Sequence, residues 1–285
     1  HFFGLQNSSY IKRVRTIKTN NFLLINLNSI YYYHTIMDNV VVIMAGGLGK
    51  RMKSELPKVL HKVLDKPMLV HVVERAIEMN PIKIYIVVGK FLHVIKDVLY
   101  HYDMLDHVEF VIQFDPLGTG HAIQCCTPYL YQHEDSNTLI LSGDVPLIKT
   151  DTLKNMLKRL EYGRIMTTML EDPTGYGRII EKEGVFEKIV EEKDCNDEER
   201  KCQKTNAGIY AFDTITLCKY LPLLKNDNAQ KEYYLTDIVE IIKTKEDVEI
   251  DLYDMPVEKQ IELTGINTKE QLEELNEELR KMKNE

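Results

Sequence analysis

The sequence predicts an α/β protein built on a mostly parallel sheet with helices on both faces. Two observations carry that expectation. Apolar runs of strand length stop abruptly at glycine, and stretches of helical periodicity lie between them. "NVVVIMAG" (39–46) opens the pattern. It offers almost no polar residue to a solvent face, so it reads as a strand buried on both sides. "PMLVHVVERAIEM" (67–79) follows, with Leu69, Val72, Val73, Ala76 and Ile77 at helical spacing. "KIYIVVG" (83–89) is a second buried strand and "FLHVIKDVLYHY" (91–102) a second helix. "VEFVIQ" (108–113), "GTGHAIQCCTPYL" (118–130) and "TLILSGDVPLI" (138–148) repeat the rhythm. Ligands in such sheets sit beyond the carboxyl ends of the strands, where these glycine turns fall.

Past Thr168 the pattern changes. "YGRIIEKEGVFEKIVEEKD" (176–194) predicts short strands joined by a turn at Glu183-Gly184, and "NAGIYAFD" (206–213) another strand. "LTDIVEIIKTK" (235–245) has helical spacing. "NTKEQLEELNEELRKMKN" (267–284) places Leu272, Leu275, Leu279 and Met282 on one amphipathic stripe, and Thr268 to Gln271 has the spacing of a capping box. No internal repeat or long structureless linker interrupts the chain.

The 285 residues suffice for one large α/β domain or two small ones, and 44% hydrophobic with 28% charged residues is an ordinary globular balance. A net charge of −8 argues against a chain that coats nucleic acid. Basic residues gather instead at 50–58, which suits a small anionic ligand. The five cysteines show no tight C-x-x-C and no histidine at zinc-finger spacing, so they read as reduced thiols of an intracellular protein. Residues 1–36, rich in Asn, Ile, Tyr and Lys, hold an apolar run too short and too interrupted to span a bilayer. They are expected to form a loosely ordered N-terminal extension ahead of a functional start at Met37.

The chemistry centres on "GGLGKRM" (46–52). Glycines let backbone N–H groups converge on phosphate, and nearby cations offset its charge. The turn is not a P-loop, since Arg51 stands where a magnesium-binding hydroxyl belongs, nor G-x-G-x-x-G, since Met52 takes the place of the third glycine. Taken alone it is equally a tight strand-to-helix connection with solvated lysines.

"MAGGLGKRMKSELPKVL" (44–60) resembles the signature of sugar-1-phosphate nucleotidylyltransferases, with Lys50 in place of the usual threonine. "IQFDPLGTGHAIQ", "LSGDVPLI", "DPTGYGRII", "IVEEKD", "NAGIYAFD", "NAQKEYYLTDIVE" and "GIN" follow in order, and together they are similar to the N-acetylglucosamine-1-phosphate uridyltransferases. The resemblance spans roughly 39–280. It implies a Rossmann-like nucleotidyltransferase fold, a mostly parallel (mixed) sheet flanked by helices, with inserted short strands on the sugar side and no left-handed β-helix domain. It divides 37–285 into a nucleotide-binding half (38–150), a sugar-binding half (151–266) and a C-terminal helix (267–285).

The implied reaction is Mg²⁺-dependent uridylyl transfer from UTP to N-acetylglucosamine 1-phosphate in the cytoplasm, without nucleic-acid or membrane partners and with the oligomeric state open. No hexapeptide repeats follow, so no acetyl transfer is expected. By resemblance Arg51 and Lys58 clamp phosphates, and Asp144 and Asn267 hold the metal. Ala45, Gly46, Gly47, Gly49, Gln113, Gly118 and Thr119 bind the nucleotide, and Gly177, Glu191, Asn206, Tyr234 and Thr236 the sugar. Plainer readings stand beside these. Arg51 and Lys58 could be surface cations, Asp144 the start of a turn before Pro146, and Asn267 a neighbour of a helix cap. Gln113 could be a polar strand end, and Glu191 one of several solvated glutamates. Lys193 is a weaker candidate as a supporting ion pair. Lys50 either strengthens triphosphate binding or points into water. Ser142 stands where bacterial members often carry tyrosine, which loosens the sugar assignment. The rivals are the same chemistry on another nucleotide and sugar phosphate, or a silent sugar-nucleotide binding module.

Overall fold

The apolar run at 39–44 lies where its composition requires. Val40, Val41, Val42 and Ile43 of β1 (Asn39–Met44) have no exposed surface because helices cover both faces of the sheet. In this computed structural model, residues 37–47 and 49–284 are described. The extension expected at 1–36 lies outside them, as does the side chain of Lys50.

The chain continues through a small antiparallel pair, β2 (Lys62–Val63) and β3 (Lys66–Pro67), then α1 (Met68–Glu78), β4 (Lys83–Val88), α2 (Leu92–His101) and β5 (Glu109–Ile112). Next come α3 (Thr119–Leu130), β6 (Asn137–Ser142), α4 (Thr150–Leu157) and β7 (Gly163–Met169). The second half holds β8 (Arg178–Lys182), β9 (Val185–Val190), β10 (Lys204–Asp213), α5 (Thr214–Tyr220), α6 (Asp237–Glu246), β11 (Asp251–Asp254) and α7 (Lys269–Asn284).

The main sheet runs β11-β7-β10-β6-β1-β4-β5, with the β8–β9 hairpin attached to β10. β1 pairs in parallel with β4 and β6, and β4 with β5, which makes the first half a parallel α/β unit. β10 runs antiparallel to β6 and β7, so the sheet as a whole is mixed. Alternate residues of β1 serve two cores, as a period of two demands. Val41 and Ile43 pack against Leu69 and Val73 of α1, Ile95 of α2 and Leu153 of α4. Val40 and Val42 pack against Ile123 of α3, Leu217 of α5 and Ile238 of α6.

The turn expected at Glu183-Gly184 joins β8 to β9. Both residues have positive φ, 55° and 78°, the requirement of a two-residue hairpin whose twist matches its strands. The capping box also forms: Gln271 N–H donates to Thr268 Oγ1 (3.2 Å) and Thr268 N–H to Gln271 Oε1 (3.2 Å). The stripe on α7 is shorter than expected. Leu272, Leu275 and Leu279 pack on Val63, Met68 and Ile266, but Met282 is 55% exposed because that small cluster ends one turn earlier.

Candidate active site

The strand order reverses direction at β1: β4 and β5 lie on one side and β6 on the other. Such switch points open a crevice at the strands' carboxyl ends. Here the crevice is an open cleft of about 570 Å³ lined by Gly46, Gly47, Gly49, Arg51, Lys58, Gln113, Gly118, Thr119, Asp144 and Asn267, among others. Ten expected site residues therefore share one cavity.

The glycine turn builds its floor. Ala45 is buried, and its N–H donates to Val87 O (2.8 Å), tying the turn to β4. Gly49 has φ +57°, and a Cβ there would stand 2.7 Å from Lys58 Cβ. Glycine is needed at this position both for its backbone and so that the Lys58 stem can cross close above it.

Five side chains from three segments of the chain converge past the ends of β1 and β6. Lys58 Nζ pairs with the Asp144 carboxylate and also donates to Asn267 Oδ1 (3.0 Å). Arg51 donates to the same Asn267 oxygen (3.0 Å), and Ser142 Oγ donates to Asp144 Oδ1 (2.5 Å). Ser142 and Asp144 meet because they stand two residues apart at the strand end. The two readings of Asn267 are compatible. Thr268 and Gln271 make the cap, Asn267 N–H joins it through Gln271 Oε1 (2.8 Å), and its side chain is left to the cleft.

One cation, the Lys58 ammonium, thus already lies between a carboxylate and an amide oxygen. That donor set is all hard oxygen and suits a small divalent ion whose other positions go to phosphate and water. Among the described residues no group of three or more His, Cys, Asp or Glu is placed to hold a metal by itself.

Elsewhere in the cleft, Gln113 is 7% exposed just past the end of β5. Its Nε2 donates to Gly118 O (3.0 Å), and a Cβ on Gly46 would stand 3.3 Å from its Oε1. Gly118 has φ +116°, and a Cβ there would meet Tyr233 O at 2.4 Å. The two chain segments are stitched together at this point. Gly120 N–H donates to Tyr233 O (2.8 Å), Tyr233 N–H to Leu117 O (2.8 Å), and Leu235 N–H to Thr119 Oγ1 (3.1 Å). The Thr119 hydroxyl is thereby engaged in holding the "EYYLTD" segment.

That segment carries two of the five residues expected on the sugar side, Tyr234 and Thr236. Thr236 Oγ1 donates to Glu191 Oε1 (3.0 Å), and Tyr234 OH to Asp194 Oδ2 (3.0 Å). Asn206 N–H donates to Gly177 O (2.9 Å) and its side-chain amide to Tyr210 OH (2.6 Å). A Cβ on Gly177 would stand 3.6 Å from both Asn206 Cβ and Glu191 Oε2. Gly177, Glu191, Asn206 and Thr236 are therefore neighbours, but none of the five residues expected on the sugar side lines this cleft. Burial pushes the Glu191 carboxyl up, and the charges of Asp194 and Glu232 add to it against the Thr236 hydrogen bond. Burial raises Asp237 to about 6, helped by Glu191, Glu240 and Asp194. Lys193 is exposed.

Two further residues belong to the site but were not expected from the sequence. Glu232 lines the cleft. Burial raises the Tyr176 phenol, the charge of Asp144 adds to that, and the charge of Arg51 opposes it. The place of Tyr176 between the two glycines of "GYGRI" was the available signal.

Comparison with known proteins points the same way. The MobA-like NTP transferase domain family matches residues 41–192. A protein of Acanthamoeba polyphaga mimivirus named "Probable UDP-N-acetylglucosamine pyrophosphorylase" is 43% identical over 82% of this chain and 93% of its own length. The "Bifunctional protein GlmU" of Saccharophagus degradans is 41% identical over 82% of this chain, and the chain spans about half (51%) of that relative. A solved UDP-glucose pyrophosphorylase complexed with UDP-glucose aligns with a TM-score of 0.66 over 86% of this chain and 100% of its own. At 20% identity, that is a likeness of fold.

Proposed function

The chain belongs to the nucleotidyltransferases of the MobA-like NTP transferase family, and we propose that it transfers uridylyl from UTP to N-acetylglucosamine 1-phosphate, forming UDP-N-acetylglucosamine and pyrophosphate. The observation that carries this reading is the convergence of Arg51, Lys58, Asp144 and Asn267 at the β1–β6 switch point, beside Gln113. The 43% identity to the mimiviral protein named for this sugar nucleotide supports the choice of substrates.

Little covalent work falls to the protein in such a transfer; positioning and charge stabilisation dominate. The sugar phosphate oxygen attacks the α-phosphorus of UTP, the bond to the β-phosphate oxygen breaks, and pyrophosphate leaves. The Arg51 fork and the Lys58 ammonium supply positive charge where negative charge accumulates on the transferring group. Asp144 and Asn267 would hold Mg²⁺, whose contribution when bound is to neutralise phosphate charge. Lys58 then trades its contacts with Asp144 and Asn267 for phosphate oxygens. Gln113 Oε1 accepts from a base edge that carries an N–H donor, as uracil does. Glu191, Asn206, Tyr234 and Thr236 orient the acetamido sugar.

No helix among the described residues is long and apolar enough to cross a membrane. The cytoplasm is the proposed compartment, supported by five cysteines that are all free. Pyrophosphate release with Mg²⁺ across a panel of nucleoside triphosphates and sugar 1-phosphates tests the assignment. UTP with N-acetylglucosamine 1-phosphate should give the highest kcat/KM. A higher value for glucose 1-phosphate or dTTP would move the protein to that substrate pair, and no turnover with any pair would leave a binding module.

A further inference from the structure

Gln113 has more partners than base recognition requires. Its Nε2 carries two hydrogens and meets two acceptors, Gly118 O at 3.0 Å and His121 Nδ1 at 3.1 Å. A carbonyl oxygen only accepts, so Gly118 fixes which end of the amide is nitrogen. His121 Nδ1 must then accept as well, which leaves the neutral ring's proton on Nε2. Nε2 lies 3.9 Å from Cys125 Sγ, one turn further along α3. Burial raises the Cys125 thiol, so that sulfur is a neutral, weak acceptor suited to this N–H. The imidazole also rests against the Tyr233 ring, with centroids 6.3 Å apart. Each ring nitrogen therefore has an assigned role.

Resting on the uridylyl-transfer reading, we propose that His121 is a positioning residue that sets the choice of base. By accepting from Gln113 Nε2, it saturates that nitrogen and leaves Oε1 as the amide's one group for the base. Uracil N3–H donates to such an oxygen. Cytosine presents a lone pair at N3 and would need the amide turned over, which would aim Oε1 at Gly118 O and the His121 lone pair.

The test is the ratio of kcat/KM for UTP over CTP. Replacing His121 with leucine orphans one Nε2 hydrogen and lowers the penalty for turning the amide. The ratio should fall about tenfold, equivalent to about 1.4 kcal/mol, mainly through KM. His121→Asn returns an acceptor oxygen at the same distance along the side chain and should restore the ratio to within about threefold of wild type. A wild-type ratio in His121→Leu overturns the proposal. Nitrogen NMR of the wild-type imidazole is a second test that needs neither variant to fold. The proton is expected on Nε2, and a proton on Nδ1 of the neutral ring overturns the proposal. If the wild type fails to turn over UTP, the proposed function falls, while the NMR result still decides the His121–Gln113 geometry.

Discussion

Lys58 and Asp144 form an ion pair that the proposed reaction must open. Each is only slightly exposed, 16% and 15% by side chain, so neither charge is well solvated and each depends on the other until substrate arrives. Asp144→Ala should therefore bind UTP comparably yet lower kcat about a hundredfold or more, read as pyrophosphate release at saturating Mg²⁺. An unchanged rate would remove Asp144 from the mechanism. Gly49 tests the same pair through the backbone. Gly49→Ala forces a side chain onto a left-handed φ at about 1–2 kcal/mol and drives its Cβ into Lys58. Because misplacement of about 1 Å can cost about a hundredfold, kcat should fall far more than thermal stability does. Much of this residue-level picture was legible in the sequence, since Arg51, Lys58, Asp144 and Asn267 each sit in a quotable block. The Ser142 hydroxyl on Asp144 and the His121 contact with Gln113 were not, because a side chain's partner across a cleft leaves no periodic trace.

At the scale of elements, α6 carries a pH-dependent cost. Its first-turn Asp237 would ordinarily gain from the helix N-terminus, yet burial and the nearby charges of Glu191, Glu240 and Asp194 raise its carboxyl to about 6. The folded state then holds this proton more tightly than the unfolded chain, whose Asp titrates near 3.8. Stability tied to the group is intact below about pH 4 and is lost as pH rises through about 6. Asp237→Asn should thus raise Tm at pH 7.5 and change it less at pH 4.5, and equal shifts at both pH values would refute the assignment. The C-terminal helix has a different dependence. Leu275 is its most buried anchor, 3% exposed against Val63, Met68 and Ile266. Leu275→Ala should cost about 2–5 kcal/mol in denaturant unfolding, and Asn267, just before the helix, should lose its register with Lys58. Strand β1 and helix α1 were readable because their hydrophobic patterns are long. β7, β11, α4 and α5 were not singled out; α4 and α5 are only 8 and 7 residues and β11 only 4, so pattern alone separates them poorly from loops.

For the whole molecule, one mixed sheet presents two kinds of half. The parallel half, β5-β4-β1-β6, ends in the cleft lined by Arg51, Lys58, Gln113 and Asp144. The antiparallel half, with β10 and the β8–β9 hairpin, carries Gly177 and Asn206. The two meet where Gly118, Thr119 and Gly120 are stitched to Tyr233 and Leu235. That contact gives a physical reason for "GTGHA" and "EYYLTD" to occur together: one loop cannot close without the other. The alternating rhythm of 39–148 announced the parallel half. The antiparallel insertion of β10 between β6 and β7 pairs Tyr210 with Ile140 and Phe212 with Gly163, residues distant in sequence, which no local pattern encodes. The reaction joining the halves is tested most directly by following label from UTP carrying a radioactive α-phosphate, with N-acetylglucosamine 1-phosphate and Mg²⁺. The expected result is label in UDP-N-acetylglucosamine, with an equal amount of unlabelled pyrophosphate. Absence of labelled sugar nucleotide from folded protein, or label in pyrophosphate, would contradict the proposed transfer.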